Sequence, residues 1–179
     1  MGVKTINFEV KHFPGARVIG KSVQVKVETT LEDSTVNDLL ELMVNNGAYD
    51  YLFSLKGTFS NHRDTVGWQG EYNFGDAVYT YMAGVLFKSG AIVPDGYEYK
   101  DIDACDMAVA WIEDSDDECG DLFADASDCL AKERDAHGYQ YDDSNGLFEM
   151  EYYSEERFYN QKNKGRKVIL DFYSPCKKV

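Results

Sequence analysis

A chain of 179 residues with 44% hydrophobic content suits one compact domain, or one domain made of two similar halves. Its formal net charge of −14 makes nucleic acid a poor partner, since phosphates would be repelled over most of the surface, and makes a cationic ligand welcome. No apolar leader opens the sequence and no run is long enough to span a membrane, while the four cysteines (Cys105, Cys119, Cys129, Cys176) lack metal-type pairing, so they read as cytosolic thiols and the protein as cytoplasmic.

The residues "INFEVKHFPG" predict a short first strand, and "ARVIGKSVQVKVE", Ala16 to Glu28, alternate and are rich in Val, which predicts a second. A helix follows in "STVNDLLELMVNNG". Ser34 or Thr35 can cap it, Val36, Leu39, Leu40, Met43 and Val44 recur at helical spacing, and Gly47 ends it. "TVGWQGEYN" and "AVYTYMAGVLFK" read as two strands joined by a turn at Asn73 to Asp76. The segment "GAIVPDGYEYKDI" reads as a link. The order then recurs: "CDMAVAWIE" is a strand, and "DECGDLFADASDCLAKERDAHG" is a helix with Leu122, Phe123, Ala126 and Leu130 on one face. "GLFEMEYYS" and "KVILDFYSP" are the last two strands.

The expected class is therefore α+β, with two pseudo-symmetric strand-helix-strand-strand units, antiparallel sheets and helices outside. The expectation is one domain over 1–179, its first unit spanning about 1–90 and its second about 100–179. A helix on one face of each sheet leaves the other face uncovered, and the two open faces are expected to form a central cleft. Read with period two, Phe148, Met150 and Tyr152 point to one side of their strand, and Glu149, Glu151 and Tyr153 to the other. The second set is assigned to the cleft.

Several segments resemble the GyrI-like family, also called the bacterial transcription-activator effector-binding domain. They are "FPGARVIGKS", "GWQGEYN" with "VYTYMAGVLF", "IVPDGYEYKDIDACDMAVAWI", and a C-terminal "MEYYSEERF" with "GRKVILDFYSP". The last resembles the signature Glu-x-Tyr, then Arg-Phe, then a strand ending in Pro. The likeness covers nearly the whole chain and resembles stand-alone members that carry no DNA-binding domain. It implies two strand-helix-strand-strand units around a ligand cleft, and binding of small hydrophobic, often cationic molecules. It also implies two alternatives: hydrolysis of cyclopropane-containing toxins, as in some stand-alone relatives, and interaction with DNA gyrase, as in another branch.

Glu151 and Tyr153 match the signature Glu-x-Tyr. A carboxylate among aromatic rings can neutralise a bound cation, or activate water if the protein is an enzyme, with Tyr153 donating a hydrogen bond. Glu149 reads as a solvated neighbour. Trp68 and Tyr72 share a period-two face, and Gly67 and Gly70 leave room beside the indole for a flat guest. Trp111 occupies the equivalent strand of the second half, and Tyr81, beside Tyr79 in its strand, completes the expected aromatic walls. Gly84 marks a bulge or a close backbone approach. Arg157, of the signature Arg-Phe with Phe158, is expected to make a structural ion pair.

The run Glu113 to Asp121 fails the calcium-loop pattern because Cys119 stands where Gly is needed, so its acids are read as favouring the next helix N-terminus. His12, His62 and His137 are far apart in sequence, and no triad or phosphate loop is present. No cofactor and no metal are expected. The expected partner is a small hydrophobic molecule, cationic or electrophilic, held between the units.

Overall fold

The computed structural model describes residues 3–27, 35–114 and 120–179. Ser34, most of the acidic run after Asp114, and Cys119 lie outside the described residues, and with them the expected acidic helix start. Two compact units emerge: the first is Gly15–Asp103 with Gly146–Phe148, the second Met1–Pro14 with Ala104–Asn145 and Glu149–Val179. The first strand, β1 (Lys4–Phe13), thus belongs with the C-terminal half rather than the N-terminal one. It pairs antiparallel with β6 (Cys105–Glu113) from Lys4 opposite Glu113 to Phe13 opposite Cys105.

In the first unit β2 (Ala16–Lys26) leads to α1 (Thr35–Asn45) and α2 (Ala48–Ser54), then to β3 (Thr65–Asn73), β4 (Val78–Phe87) and β5 (Glu98–Ile102). The sheet runs β3-β4-β2-β5 and is antiparallel throughout. The expected link was therefore partly a strand: β5 pairs with the start of β2, Ala16 opposite Ile102. Leu39 and Met43 of α1 and Leu52 of α2 bury against Ile19, Tyr81, Ala83, Val85 and Phe87. Val44, expected on the apolar face of α1, stays exposed, while Leu52 of α2 completes the cover of the sheet. Sequence reading ended the helical region at Gly47. The chain instead takes a left-handed step there, φ +73, and restarts as α2, with Asn46 Oδ1 accepting from the Ala48 amide at 3.0 Å.

The second unit repeats the plan. After β6 come α3 (Gly120–Ala136), β7 (Tyr139–Tyr141), β8 (Phe148–Tyr153), a π-helical turn (Glu155–Tyr159), α4 (Asn160–Asn163) and β9 (Ile169–Lys178). The strand order is β8-β9-β6-β1, the same arrangement as in the first unit, with β7 added on β9. Leu122, Ala126 and Leu130 of α3 are fully buried against Ala108, Ala110, Ile112, Leu170 and Phe172. Each such leucine contributes about 1.5–3 kcal/mol of burial. Among the described residues no helix is long and apolar enough to cross a membrane.

Candidate functional site

Register decides which side chains meet. Glu151 stands opposite Phe172, and Phe172 opposite Ala110, so all three point to one face. Phe172 and Ala110 belong to the core under α3. Glu149, Glu151 and Tyr153 therefore lie on the helix-covered face, not on the open one. This corrects the sequence expectation. Alternation identified the three as one set; it could not say which set the helix would cover. Strong apolar residues at Phe148, Met150 and Tyr152 made the wrong face look like the core.

The result is a buried nest within the second unit. Glu151 and Tyr153 are each 6% exposed, and the Tyr153 hydroxyl donates to Glu151 Oε2 at 2.6 Å. Phe158 meets the Tyr153 ring edge-on at 4.9 Å, and Phe123 of α3 and Tyr159 lie 6.2 Å and 6.3 Å away. The π-helical turn supplies Phe158 and Tyr159, its start capped by Ser154, whose hydroxyl accepts from the Arg157 amide. Glu149 is not a solvated strand residue. It accepts from Ser127 of α3 at 3.0 Å, and burial pushes its carboxyl above the usual range.

The opposite face of the same sheet holds a different group. Trp111 stands opposite Asp171 on β9 and is half-buried. Arg157 lies over the Trp111 ring at 4.5 Å and grips Asp171 with two nitrogens, at 2.9 Å and 2.5 Å. The expected structural ion pair is thus present, and its acid is Asp171, which sequence reading did not single out. Next along this face the Tyr173 hydroxyl accepts from Lys11 at 3.0 Å, and Tyr152 packs at 5.6 Å from the Tyr173 ring. Burial pulls the Lys11 ammonium down, but Tyr173, Glu9 and Asp171 together raise it on balance. Burial likewise holds the Tyr173 phenol above its ordinary value. Trp111 therefore does not line the Glu151 nest. Asp171 and Tyr173 share a face in "LDFYSP" by period two, and that was the signal available for them.

In the first unit three more expected wall residues separate. Tyr81 is 2% exposed and sits in the core under α1 and α2, so it is a packing residue. Trp68 faces the other way, opposite Met82, and stacks on Phe148 at 6.4 Å. The space over Gly70 is filled by the indole itself: a Cβ at Gly70 would lie 2.5 Å from Trp68 ring atoms. The Trp68 Nε1 is buried with no acceptor among the described residues. Tyr72 does not share Trp68's face. One extra residue enters β3 between Gly70 and Asn73, Glu71 takes a positive φ of 54°, and Tyr72 turns to stack on Tyr79 at 5.5 Å. Of the expected site residues, Glu151 and Tyr153 are brought into contact.

No family model matches the chain, and no curated protein matches its sequence. Solved structures do. SAV2435 bound to tetraphenylphosphonium superposes with a TM-score of 0.65 at 12% identity, covering 96% of this chain and 94% of that one. The EcmrR C-terminal domain gives 0.58 at 12% identity, covering 97% and 98%. An integron cassette protein from the mobile metagenome of Vibrio cholerae gives 0.60 at 11% identity, covering 99% and 100%. At these identities the likeness speaks for architecture, and it agrees with the sequence resemblance: the chain has the α+β fold of the GyrI-like effector-binding domains.

Proposed function

We propose that the protein binds a small lipophilic cation in the second unit, at the nest of Glu151 and Tyr153. The observation that carries this reading is a buried carboxylate, held at 2.6 Å by a phenol whose own ring packs against Phe123, Phe158 and Tyr159. A carboxylate in an apolar setting is costly, and a cationic guest offsets that cost. Ring faces attract the same guest through their quadrupoles, by roughly 0.5–2 kcal/mol each. The net charge of −14 gathers cations near the surface. The structure of SAV2435, which shares the fold, holds bound tetraphenylphosphonium, such a cation. At 6% exposure Glu151 is reached only when the aromatic shell shifts, so association is expected to be slower than diffusion allows.

Calorimetry with tetraphenylphosphonium tests this. Glu151→Gln keeps the size of the side chain and removes its charge. Affinity is expected to fall by about 1.5–3 kcal/mol, the range for a charged hydrogen bond, while neutral triphenylphosphine oxide changes much less. Equal affinity of wild type and variant for the cation would refute the assignment. The same short Tyr153–Glu151 contact also suits a second reading, hydrolysis of a strained electrophile. Glu151 would take a proton from water and Tyr153 would donate to the developing charge, and turnover would then fall by about a hundredfold or more in Glu151→Gln.

A further inference from the structure

A cavity of about 530 Å³ lies in the first unit, between the end of α2 and the segment after β4. Pockets that hold drug-sized ligands measure roughly 300–1,000 Å³. Its apolar surface comes from Tyr51, Leu55, Ile92 and Pro94, and its charge from Lys56 and Lys88. Among the described residues no carboxylate lines it. On a chain of net charge −14 this is a local reversal of sign. Among the described residues neither lysine enters an ion pair.

The walls are tied together. The Lys88 amide donates to the Gly57 carbonyl at 2.9 Å, so the two segments that carry the lysines are hydrogen-bonded to each other. Gly57 and Gly90 both take positive φ, 90° and 77°, which turns the backbone away on each side. Behind the cavity Arg17 donates to the Ala91 carbonyl at 2.7 Å and holds Asp101 with its remaining nitrogens, at 2.7 Å and 2.9 Å. On the α2 side the Tyr51 ring stacks on Tyr97 at 5.6 Å. The lysines are therefore mounted on a braced frame. Ile92 is 90% exposed and Tyr51 46%, so both present apolar surface to solvent.

We propose that this cavity is a ligand site for an amphipathic organic anion, with a compact apolar body on Tyr51, Leu55 and Ile92 and one carboxylate or sulfonate between Lys56 and Lys88. It is separate from the Glu151 nest and of opposite charge preference. The two sites take different ligands, and either can be present without the other.

The test uses the full chain and 8-anilinonaphthalene-1-sulfonate as the anionic probe, with N-phenyl-1-naphthylamine as its neutral counterpart and decanoate as competitor. Lys56→Gln and Lys88→Gln each weaken the sulfonate probe about three- to fivefold, the worth of one half-exposed ion pair, and the double variant about tenfold or more. Raising ionic strength weakens it further in wild type and less in the double variant. The neutral probe stays within about twofold in the lysine variants. Ile92→Ser weakens both probes, and decanoate displaces the sulfonate. Glu151→Gln leaves sulfonate binding unchanged, so failure of this site and failure of the Glu151 reading are separately visible. All altered side chains but Glu151 are exposed, so these variants retain the fold. Sulfonate binding that is unchanged in the double lysine variant, or unaffected by Ile92→Ser, overturns the proposal. So does an Ile92→Ser change that turns a self-associating chain into a monomer without any effect on the probes, since the surface is then a contact between copies.

Discussion

The Arg157–Asp171 pair makes an asymmetric prediction. Asp171 is 1% exposed and Arg157 29% by side chain. Removing one partner of a buried ion pair leaves the other charge uncompensated, at a typical cost of about 3–5 kcal/mol. In Arg157→Ala the carboxylate loses its two-nitrogen partner with almost no access to water, and the nearby Lys11 ammonium recovers only part of the loss, so about 3–4 kcal/mol is expected. In Asp171→Asn the stranded charge is the guanidinium. It keeps partial access to water and the Trp111 ring at 4.5 Å, so solvent and the π face recover part of the loss. About 2–3 kcal/mol is expected there, after discounting for exposure. The double change Arg157→Met with Asp171→Leu replaces the pair by apolar groups and is expected to fall within about 1 kcal/mol of wild type. Equilibrium urea unfolding, read by tryptophan fluorescence and by far-ultraviolet circular dichroism, measures all three. If Asp171→Asn costs more than Arg157→Ala, or if Arg157→Ala costs less than about 1 kcal/mol, the pair is not the buried clamp described here.

Two further predictions follow from packing and charge. Gly20→Ala should unfold the first unit or prevent its expression, because the new Cβ would lie 2.0 Å from the Ala83 carbonyl oxygen on the paired strand; a soluble variant with wild-type melting would contradict this. Glu149→Gln should stabilise the protein at neutral pH, since burial raises the native Glu149 carboxyl above its unfolded value and ionisation then opposes folding. The wild-type contribution is fully present below the unfolded value and is lost as pH rises through the native one. The advantage of Glu149→Gln should therefore shrink and vanish as pH drops below about 4, and an advantage independent of pH would exclude this cause.

Much of the architecture is visible in the sequence. Alternation in "TVGWQGEYN" and "CDMAVAWIE" coincides with β3 and β6, and Leu122, Ala126 and Leu130 mark the buried face of α3. The Asn73 turn is also legible, because Asn73 Oδ1 accepts from the amides of Gly75 and Asp76, the local chemistry that makes Asn a turn residue. The close approach at Gly84 is real: its Cβ would lie 2.4 Å from the Ile19 carbonyl oxygen. What period two leaves out is the sign of the face. Period two groups Glu151 with Tyr153 but does not say which side they take: polar residues suggest the open face, and a hydrogen-bonded buried pair such as theirs carries no mark of its own in the sequence. A single bulged residue at Glu71 was enough to part Tyr72 from Trp68. The α2 turn and β5 are too short, at seven and five residues, to show a period of their own, and pairing with neighbours distant in sequence defines them.

The measurement that bears most directly on ligand binding at Glu151 is an intermolecular nuclear Overhauser experiment on the protein saturated with tetraphenylphosphonium. Cross-peaks from the phosphonium phenyl protons to the rings of Phe123, Tyr153, Phe158 and Tyr159 are predicted, and they should be lost in Glu151→Gln at the same ligand concentration. Cross-peaks confined to Trp111 and Tyr173, on the opposite face of the sheet, or peaks to the nest that persist unchanged in Glu151→Gln, would contradict the account.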